Sequence, residues 1–410
     1  MTSEKEFAVL IVGAGPAGAF AAEHLARGGA SVALFDGRPA GEPKACGGGV
    51  TSKALRAWPH LLEAAGRIID EVEMYSPTGA HVCLKLNEPF AIYSRSEFDS
   101  YLCEQACAAG AQLFKTRVTV EPRAANEHCW VVRSRNGATW RGRVLVGADG
   151  ANSPIARRLA GPVPKAEMEV AFGYRAPLPR ADEAPTVVAF LPGWAGYAWA
   201  FPRLDHVSFG IATSQDAFQH DTLDQLLWDF MFGYYRQREE PQASLWSNGA
   251  RRADGQGRDA EIEMKLRASV ERYAARIPGL APQTWDQRRA GSDDWALLGD
   301  AAGFADPVTG EGIYYALRSA ELFAAAYLTD QTQLYEERWR ADFGRELRRA
   351  SAMRRRFYGN FLGEPFTGRM ISFARMHPGI RHTLGELVAG DQGYLNLKRT
   401  LARRAFRIVF

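Results

Sequence analysis

The chain reads as an α/β protein in two packed domains: a parallel-sheet domain interrupted by antiparallel sheet, then a helical C-terminal region. Three observations predict it. Apolar runs at 7–13 (FAVLIVG), 31–36 (SVALFD), 143–150 (RVLVGADG) and 295–303 (WALLGDAAG) have the length and continuous hydrophobicity of strands buried on both faces. Between the last two, residues 186–213 (TVVAFLPGWAGYAWAFPRLDHVSFGIAT) break into short β-rich pieces split by Pro and Gly, the pattern of antiparallel sheet. A length of 410 residues exceeds the roughly 250–300 over which one core keeps growing.

The elements follow in order. After the strand at 7–13, Pro16 to Gly28 carry apolar residues at helical spacing, so with 31–36 the chain opens as β-α-β. Gly13, Gly15 and Gly18 form G-x-G-x-x-G at the strand–helix junction, and Asp36 ends the next strand. Gly13 permits the tight turn, Gly15 lets the main chain approach a pyrophosphate, and Gly18 lets helix and strand close up. Asp36 accepts from a ribose hydroxyl, and the helix opened by Pro16 turns its positive end to the phosphates. The motif predicts a Rossmann-like dinucleotide site and leaves NAD and FAD both open. Ser96 with Asp99 predicts a helix start in the manner of a capping box, with Phe98, Leu102, Ala106 and Ala109 as its apolar face. Residues 248–260 (NGARRADGQGRDA) predict an exposed loop, and after Ala324 the chain reads as helical and Arg-rich. There is no internal repeat.

Hydrophobic residues at 46% and charged residues at 24% describe an ordinary soluble globular chain. The five cysteines, Cys46, Cys83, Cys103, Cys107 and Cys129, are scattered and form no CxxC pair. Neither a disulfide framework nor a metal site is expected, and a reducing cytoplasm fits. Cys103 and Cys107, one helical turn apart, read as small packing residues. The absence of an apolar run of 18 residues predicts no transmembrane helix, and the N-terminal run, broken by Gly and Pro, reads as a strand and not a signal peptide. The net charge of +3 conceals an asymmetry: from Arg338 onward, fifteen Arg and one Lys face five acids. Residues 395–410 (LNLKRTLARRAFRIVF) set Leu397, Leu401, Ala405, Ile408 and Val409 against Lys398, Arg399, Arg403, Arg404 and Arg407. Two readings stand side by side: a helix lying on an anionic bilayer, or one docked on its own domain. No recognised module accompanies the arginines, so nucleic acid is not an expected partner.

Residues 42–55 (EPKACGGGVTSKAL) place a cysteine before three glycines, which calls for either a slack loop or a close approach to bare main chain. Further on stand GADGANSPIAR, with Asp149, Gly150, Ser153 and Arg157, and GDAAGFADPVTGEGIYYAL, with Gly299, Asp300, Pro307, Gly310 and Gly312. With the glycine motif, these resemble the three fingerprints of the p-hydroxybenzoate hydroxylase superfamily of FAD proteins. Within that superfamily, KACGGGVTSKAL and GYAWAFP (Tyr197, Trp199, Phe201, Pro202) resemble the geranylgeranyl reductase family over residues 7–325, with Ala45 where bacterial members often carry proline.

The resemblance implies a Rossmann-like FAD-binding domain (1–75, 95–165, 286–325), an inserted antiparallel-sheet substrate domain (76–94, 166–285) and a basic helical tail (326–410). It implies FAD contacts at Gly13, Gly15, Pro16, Ala17, Gly18, Asp36, Arg38, Cys46, Gly47, Gly49, Arg95, Val118, Asp149, Asp300, Gly310, Gly312 and Ile313. Main-chain N–H groups of Gly312 and Ile313 then meet the negative edge of the reduced flavin. The glycines after Cys46 let the ring lie against main chain, with the thiol beside it.

The implied activity is saturation of isolated C=C bonds in a geranylgeranyl-type isoprenoid chain, with hydride from reduced flavin on one carbon and a proton on the other. Cys46 and Tyr197 are the candidate proton donors. Trp194, Tyr197, Trp199 and Phe201 form the expected surface for a lipophilic isoprenoid partner, and strand alternation puts the last three on one face. The electron source is NAD(P)H or another donor, and the expected location is cytoplasmic, with membrane association if the tail binds lipid. Two other readings use the same motifs: an FAD-dependent monooxygenase of a lipophilic or aromatic substrate, and a non-catalytic prenyl-binding flavoprotein. A halogenase would carry W-x-W-x-I-P, where this chain has Tyr197 and Phe201.

Overall fold

Strands whose residues are apolar without alternation have to be covered on both sides, and Val9, Leu10 and Ile11 are completely buried in the computed structural model. The structure describes residues 5–39, 46–123, 127–179, 184–214, 220–239, 245–246, 263–264, 266–361 and 363–406. These form two compact units: one of residues 1–42, 96–168 and 277–352, the other of 43–95, 169–276 and 353–410. The expected loop at 248–260 lies outside the described residues.

In the first unit, strands Gln112–Phe114, Val32–Phe35, Lys5–Val12 and Thr139–Gly147 lie side by side and parallel, with Val9 opposite both Val32 and Val144. Strand Trp295–Leu297 adds in parallel along the end of Thr139–Gly147, while Trp130–Ser134 and then Val118–Val120 continue the sheet antiparallel. Helix Pro16–Arg27 packs against helix Ile313–Tyr327. Gly13 has φ +108°, and a Cβ there would stand 2.2 Å from the Ala148 carbonyl oxygen. A Cβ on Gly18 would stand 1.8 Å from the Gly13 oxygen, so the spacing of the glycines sets how closely helix meets turn. The helix expected to start at Ser96 starts at Arg95, and the Asp99 carboxylate is taken by Arg38 at 2.7 Å. Phe98, Leu102 and Ala106 are buried as their spacing requires.

In the second unit eight strands run in the order Glu271–Pro278, Met168–Pro177, His206–Ser214, Gly196–Pro202, Val187–Phe190, Gly66–Tyr75, His81–Tyr93, Gly49–Val50. Val187–Phe190 meets Gly66–Tyr75 in parallel; the hairpins on either side are antiparallel. Helix His220–Glu239 covers one face with Leu223, Leu227, Phe230, Met231 and Tyr234, seated on Phe172, Ala198, Ala200, Phe209 and Ile211. Each such fully buried large side chain contributes about 1.5–3 kcal/mol of transfer free energy.

The end of the chain folds as helices Phe366–Met376, Pro378–Ala389 and Leu397–Phe406. Arg404 reaches back to Glu386 (2.6 and 3.0 Å) and Thr383 (3.0 Å), and Leu397 is turned inward. The last helix is therefore docked on its own unit, and its outward residues Lys398, Arg399 and Arg403 are basic; Arg407, Ile408 and Val409 lie outside the described residues. Among the described residues no helix is long and apolar enough to cross a membrane.

Two substitutions test these contacts. Gly18→Ala should cost about 2–4 kcal/mol, because helix and turn must part; Gly29→Ala, with φ +85° and nothing within 4 Å, should cost only about 1 kcal/mol from backbone strain. Denaturant unfolding of both variants measures the difference. The Arg404 guanidinium holds the Glu386 carboxyl below its ordinary range, so its stabilisation is present above the unfolded-state value and is lost as pH falls through the lower folded value. Glu386→Gln should loosen the last helix by about 1 kcal/mol at pH 7 and make no difference in strong acid, read by hydrogen exchange of residues 397–406.

Candidate functional site

The first unit gathers its motif residues at the C-terminal ends of the parallel strands. Gly13 N–H donates to the Phe35 carbonyl at 2.9 Å and Ala148 N–H to Val12 at 2.8 Å, which draws the glycine turn and the Ala148–Gly150 turn together. Gly15 precedes the helix and Pro16 opens it, with no side-chain cap on the first-turn N–H groups. Asp36 accepts from Arg38 Nε at 3.1 Å, and Arg38 also reaches Asp99 and the Ala14 carbonyl (3.2 Å). Arg117 closes on Gly37, which sets Val118 beside this group. Cys103 joins it too, its thiol 3.5 Å from the Ala14 carbonyl and pushed up to about 12 by burial and by Asp99 and Asp36. Cys107, expected as a packing residue, is exposed.

Among the described residues, both carboxylate oxygens of Asp149 are buried without a well-formed hydrogen bond. Burial pushes its pKa up against the opposing pull of the Ser153 hydroxyl. Ser153 itself caps helix Pro154–Leu159, accepting from Ala156 N–H at 2.8 Å.

Gly299, with φ +53°, sits between the two helix N-termini. A Cβ there would meet the Ala17 and Ala316 Cβ atoms at 3.3 and 3.2 Å. Asp300 Oδ1 lies against Gly312, the residue that precedes helix Ile313–Tyr327, and Gly310 turns the preceding loop with φ +71°. Two residues absent from the sequence-based set shape this loop. Buried Asp306 accepts from the N–H groups of Val308 (2.8 Å) and Thr309 (3.2 Å), and Glu311 accepts from Tyr314 N–H at 2.8 Å. The Asp-Pro-x-Thr run was a legible turn signal for the first. Two helix N-termini, the second capped only by Glu311 on Tyr314 N–H, and a buried carboxylate with acceptor capacity form a donor and acceptor set that fits the diphosphate and ribityl portion of FAD.

The second unit holds the cysteine turn. The sheet face formed by Tyr197, Trp199 and Phe201 is the one on which Cys46–Gly49 lies: a Cβ on Gly47 would meet Phe201 at 3.1 Å and Trp199 Nε1 at 3.4 Å, and one on Gly49 would meet Phe90 at 2.9 Å. Gly48, with φ +82°, stands where a Cβ would be 2.2 Å from the Tyr93 carbonyl oxygen. The three glycines are thus required by protein packed on protein. Tyr197 and Trp199 rings are 5.9 Å apart, and the Trp199 indole covers Gly210 on the neighbouring strand. Arg95 is buried in the same unit.

Trp194 does not share this face. It packs against the cluster under helix His220–Glu239, beside an open depression of about 600 Å³ lined also by Pro192, Leu226 and Asp229. The residue precedes the strand, beyond a Gly193 turn with φ +75°, so alternation along Gly196–Pro202 does not govern it.

Three residues that the sequence reading missed surround the turn. Arg203 donates to the carbonyls of Cys46 (2.6 Å) and Gly47 (3.3 Å); Ser208 donates to the Cys46 carbonyl at 3.4 Å; Tyr273 donates to the Phe209 carbonyl at 2.6 Å and lies 2.8 Å from Ser208. Burial pushes the Tyr273 hydroxyl up to about 12, so it stays protonated. Arg203 directly follows the aromatic run; nothing in the sequence marked the other two. Among the described residues no group of His, Cys, Asp and Glu is placed to hold a metal ion.

A family model described as an FAD binding domain matches residues 6–191. The geranylgeranyl diphosphate reductase of Rhodobacter capsulatus is 31% identical over 327 residues, 76% of this chain and 72% of that protein. Digeranylgeranylglycerophospholipid reductase 1 of Methanococcoides burtonii is 27% identical over 370 residues, 83% of this chain and 81% of that one. Among solved structures, a geranylgeranyl bacteriochlorophyll reductase-like protein of Thermoplasma acidophilum aligns with TM-score 0.71 at 20% identity, over 98% of this chain and all of that one. A flavin-dependent brominase aligns with TM-score 0.64 at 17% identity over 98% of this chain and 100% of its own, so the fold alone is shared with other flavin chemistries. Identity of 31% across most of both sequences makes this chain a member of the geranylgeranyl reductase family of FAD-dependent oxidoreductases.

Proposed function

We propose that the protein saturates isolated C=C bonds of a geranylgeranyl-type isoprenoid chain. The observation that carries this reading is the seat of the Cys46 turn on the Trp199 and Phe201 face, which joins a thiol to aromatic carbon surface. The names of the relatives supply the substrate class.

An isolated alkene has no carbonyl to absorb charge, so reduction needs a proton on one carbon matched to a hydride on the other, away from water. Bound and reduced, FAD supplies the hydride. In the first unit, Ala17 and Gly18 N–H groups would hold its diphosphate, Asp36 its ribose, with Gly13, Gly15, Pro16, Arg38, Val118, Asp149, Asp300, Gly310, Gly312 and Ile313 around them. In the second unit, Cys46, Gly47, Gly49 and Arg95 are the contacts that the family resemblance assigns. Cys46 Sγ gives up the proton, with Tyr197 as the other candidate, and the rings of Tyr197, Trp199 and Phe201 keep water from the chain. Contact of the last helix with an anionic bilayer would be electrostatic, through exposed Lys398, Arg399 and Arg403.

Anaerobic incubation of photoreduced protein with a panel of polyprenyl compounds, scored by mass for a gain of two hydrogens, tests the activity without depending on whether NAD(P)H or another donor feeds the flavin. One or more geranylgeranyl compounds should gain multiples of two hydrogens; a flavin that stays reduced with every compound sinks the reading. Cys46→Ala should keep FAD and lose substrate reduction by about 10²-fold or more. Loss with Tyr197→Phe instead would move the proton to that hydroxyl.

A further inference from the structure

Arg203 is only 3% exposed, and among the described residues no carboxylate lies within ion-pair distance of it. Among the described residues its hydrogen bonds end on two carbonyls, those of Cys46 and Gly47, and its Nε is buried without an acceptor. The other groups that face it add no buried negative charge: Arg175 is already paired with Glu271, Arg95 is a further cation, burial pushes the His206 pKa down and leaves its ring neutral beside solvent-exposed Asp205, and the Tyr273 hydroxyl stays protonated. The carbonyls that Arg203 grips belong to a turn closed by Gly48 N–H on Cys46 Sγ at 3.3 Å. A side chain on Gly48 would stand 3.1 Å from Arg203 Nη2, so cation and turn are packed with no room between them.

We propose that Arg203 is the positioning residue of Cys46: it locks the turn that aims the sulfur, and it sets an unneutralised positive charge beside the site where negative charge develops as the proton leaves. The proposal rests on the reading of Cys46 as proton donor and says how this chain makes the thiol fit for that task. In the step itself the S–H bond breaks and its electron pair stays on sulfur. The alkene π pair would bond the proton at one carbon, and the other carbon would take the hydride, with its two electrons, that FAD would supply when bound and reduced. Water returns the proton to sulfur. Gly48 N–H donates to the sulfur on which the charge develops, and the guanidinium, held on the carbonyl of the same residue, is electrostatically coupled to it. A buried cation with carbonyl partners alone welcomes such a charge, which a carboxylate-paired arginine would not.

The test uses FAD-loaded full chain carrying Arg203→Met, Arg203→Lys or Arg203→Gln. Alkylation of each thiol by iodoacetamide at fixed pH is read by peptide mass, with exposed Cys83 and Cys107 as internal references. Arg203→Met should slow alkylation of Cys46 tenfold or more, leave the reference thiols unchanged, and lower kcat for alkene saturation tenfold or more with KM within about twofold. Arg203→Lys, which keeps the charge and a donor, should recover both rates to within about threefold. If Arg203→Met does not fold, Lys should exceed Gln in both rates, since Gln keeps a donor and loses the charge.

Equal Cys46 alkylation in wild type, Met and Gln variants overturns the inference, as does equal impairment of Lys and Gln. Alkene saturation by wild type with no effect of Arg203→Met sinks this inference alone. Slowed Cys46 alkylation in a protein that saturates no alkene sinks the functional reading and leaves the positioning of Cys46 standing.

Discussion

A guanidinium carried into the interior without a carboxylate must be matched by carbonyl dipoles, and the cysteine turn of the second unit is built around one such group. Stranding that charge would cost several kcal/mol, whereas each hydrogen bond it makes to a carbonyl returns about 1.5–3 kcal/mol. Arg203 therefore dictates where the main chain of Cys46 and Gly47 lies. The first unit repeats the device. Buried Arg288 ends on the carbonyls of Gly161 (2.9 Å), Ala301 (3.1 Å) and Ala302 (3.2 Å), so the turn carrying Asp300 is tied to the segment after the second motif. Burial lowers the pKa of both arginines, and among the described residues their side-chain hydrogen bonds end on carbonyl dipoles.

Glycine serves the same end by another route. At Gly13, Gly18, Gly47, Gly48 and Gly49 the space of a Cβ is occupied by protein atoms, carbonyl oxygens in three cases and aromatic rings in two. The motif glycines are usually explained by the ligand, which needs bare main chain. Here they are also explained by the fold, which needs main chain pressed on main chain before any ligand arrives. The two requirements reinforce each other, because a turn held that closely presents its N–H groups in one orientation.

The aromatic face shows how a strand divides its labour. Alanines 198 and 200 point into the core under helix His220–Glu239, where small residues let helix and sheet close up, and Trp199 and Phe201 point to the side where the cysteine turn lies. Gly173 and Gly210 on neighbouring strands make room for the Tyr273 ring and the Trp199 indole. A thiol, a hydroxyl and a buried cation are thereby set beside an aromatic surface.

The sequence by itself determined what is local. Buried strands were legible at 7–13, 31–36, 143–150 and 295–303 because an apolar run needs no distant information. The sharing of one face by Tyr197, Trp199 and Phe201 was legible because strand period is fixed at two, and the order of the three motifs pointed to the FAD fold. The tertiary structure decided what depends on residues far apart in the chain. Arg203 meets the Cys46 carbonyl across 157 positions, and Tyr273 meets Ser208 across 65. It also put Trp194 on the opposite side of the sheet, left Cys107 in solvent and turned Leu397 of the last helix inward. Each of these outcomes is set by which surface a side chain meets after the chain has folded back on itself, and neither periodicity nor spacing carries that information.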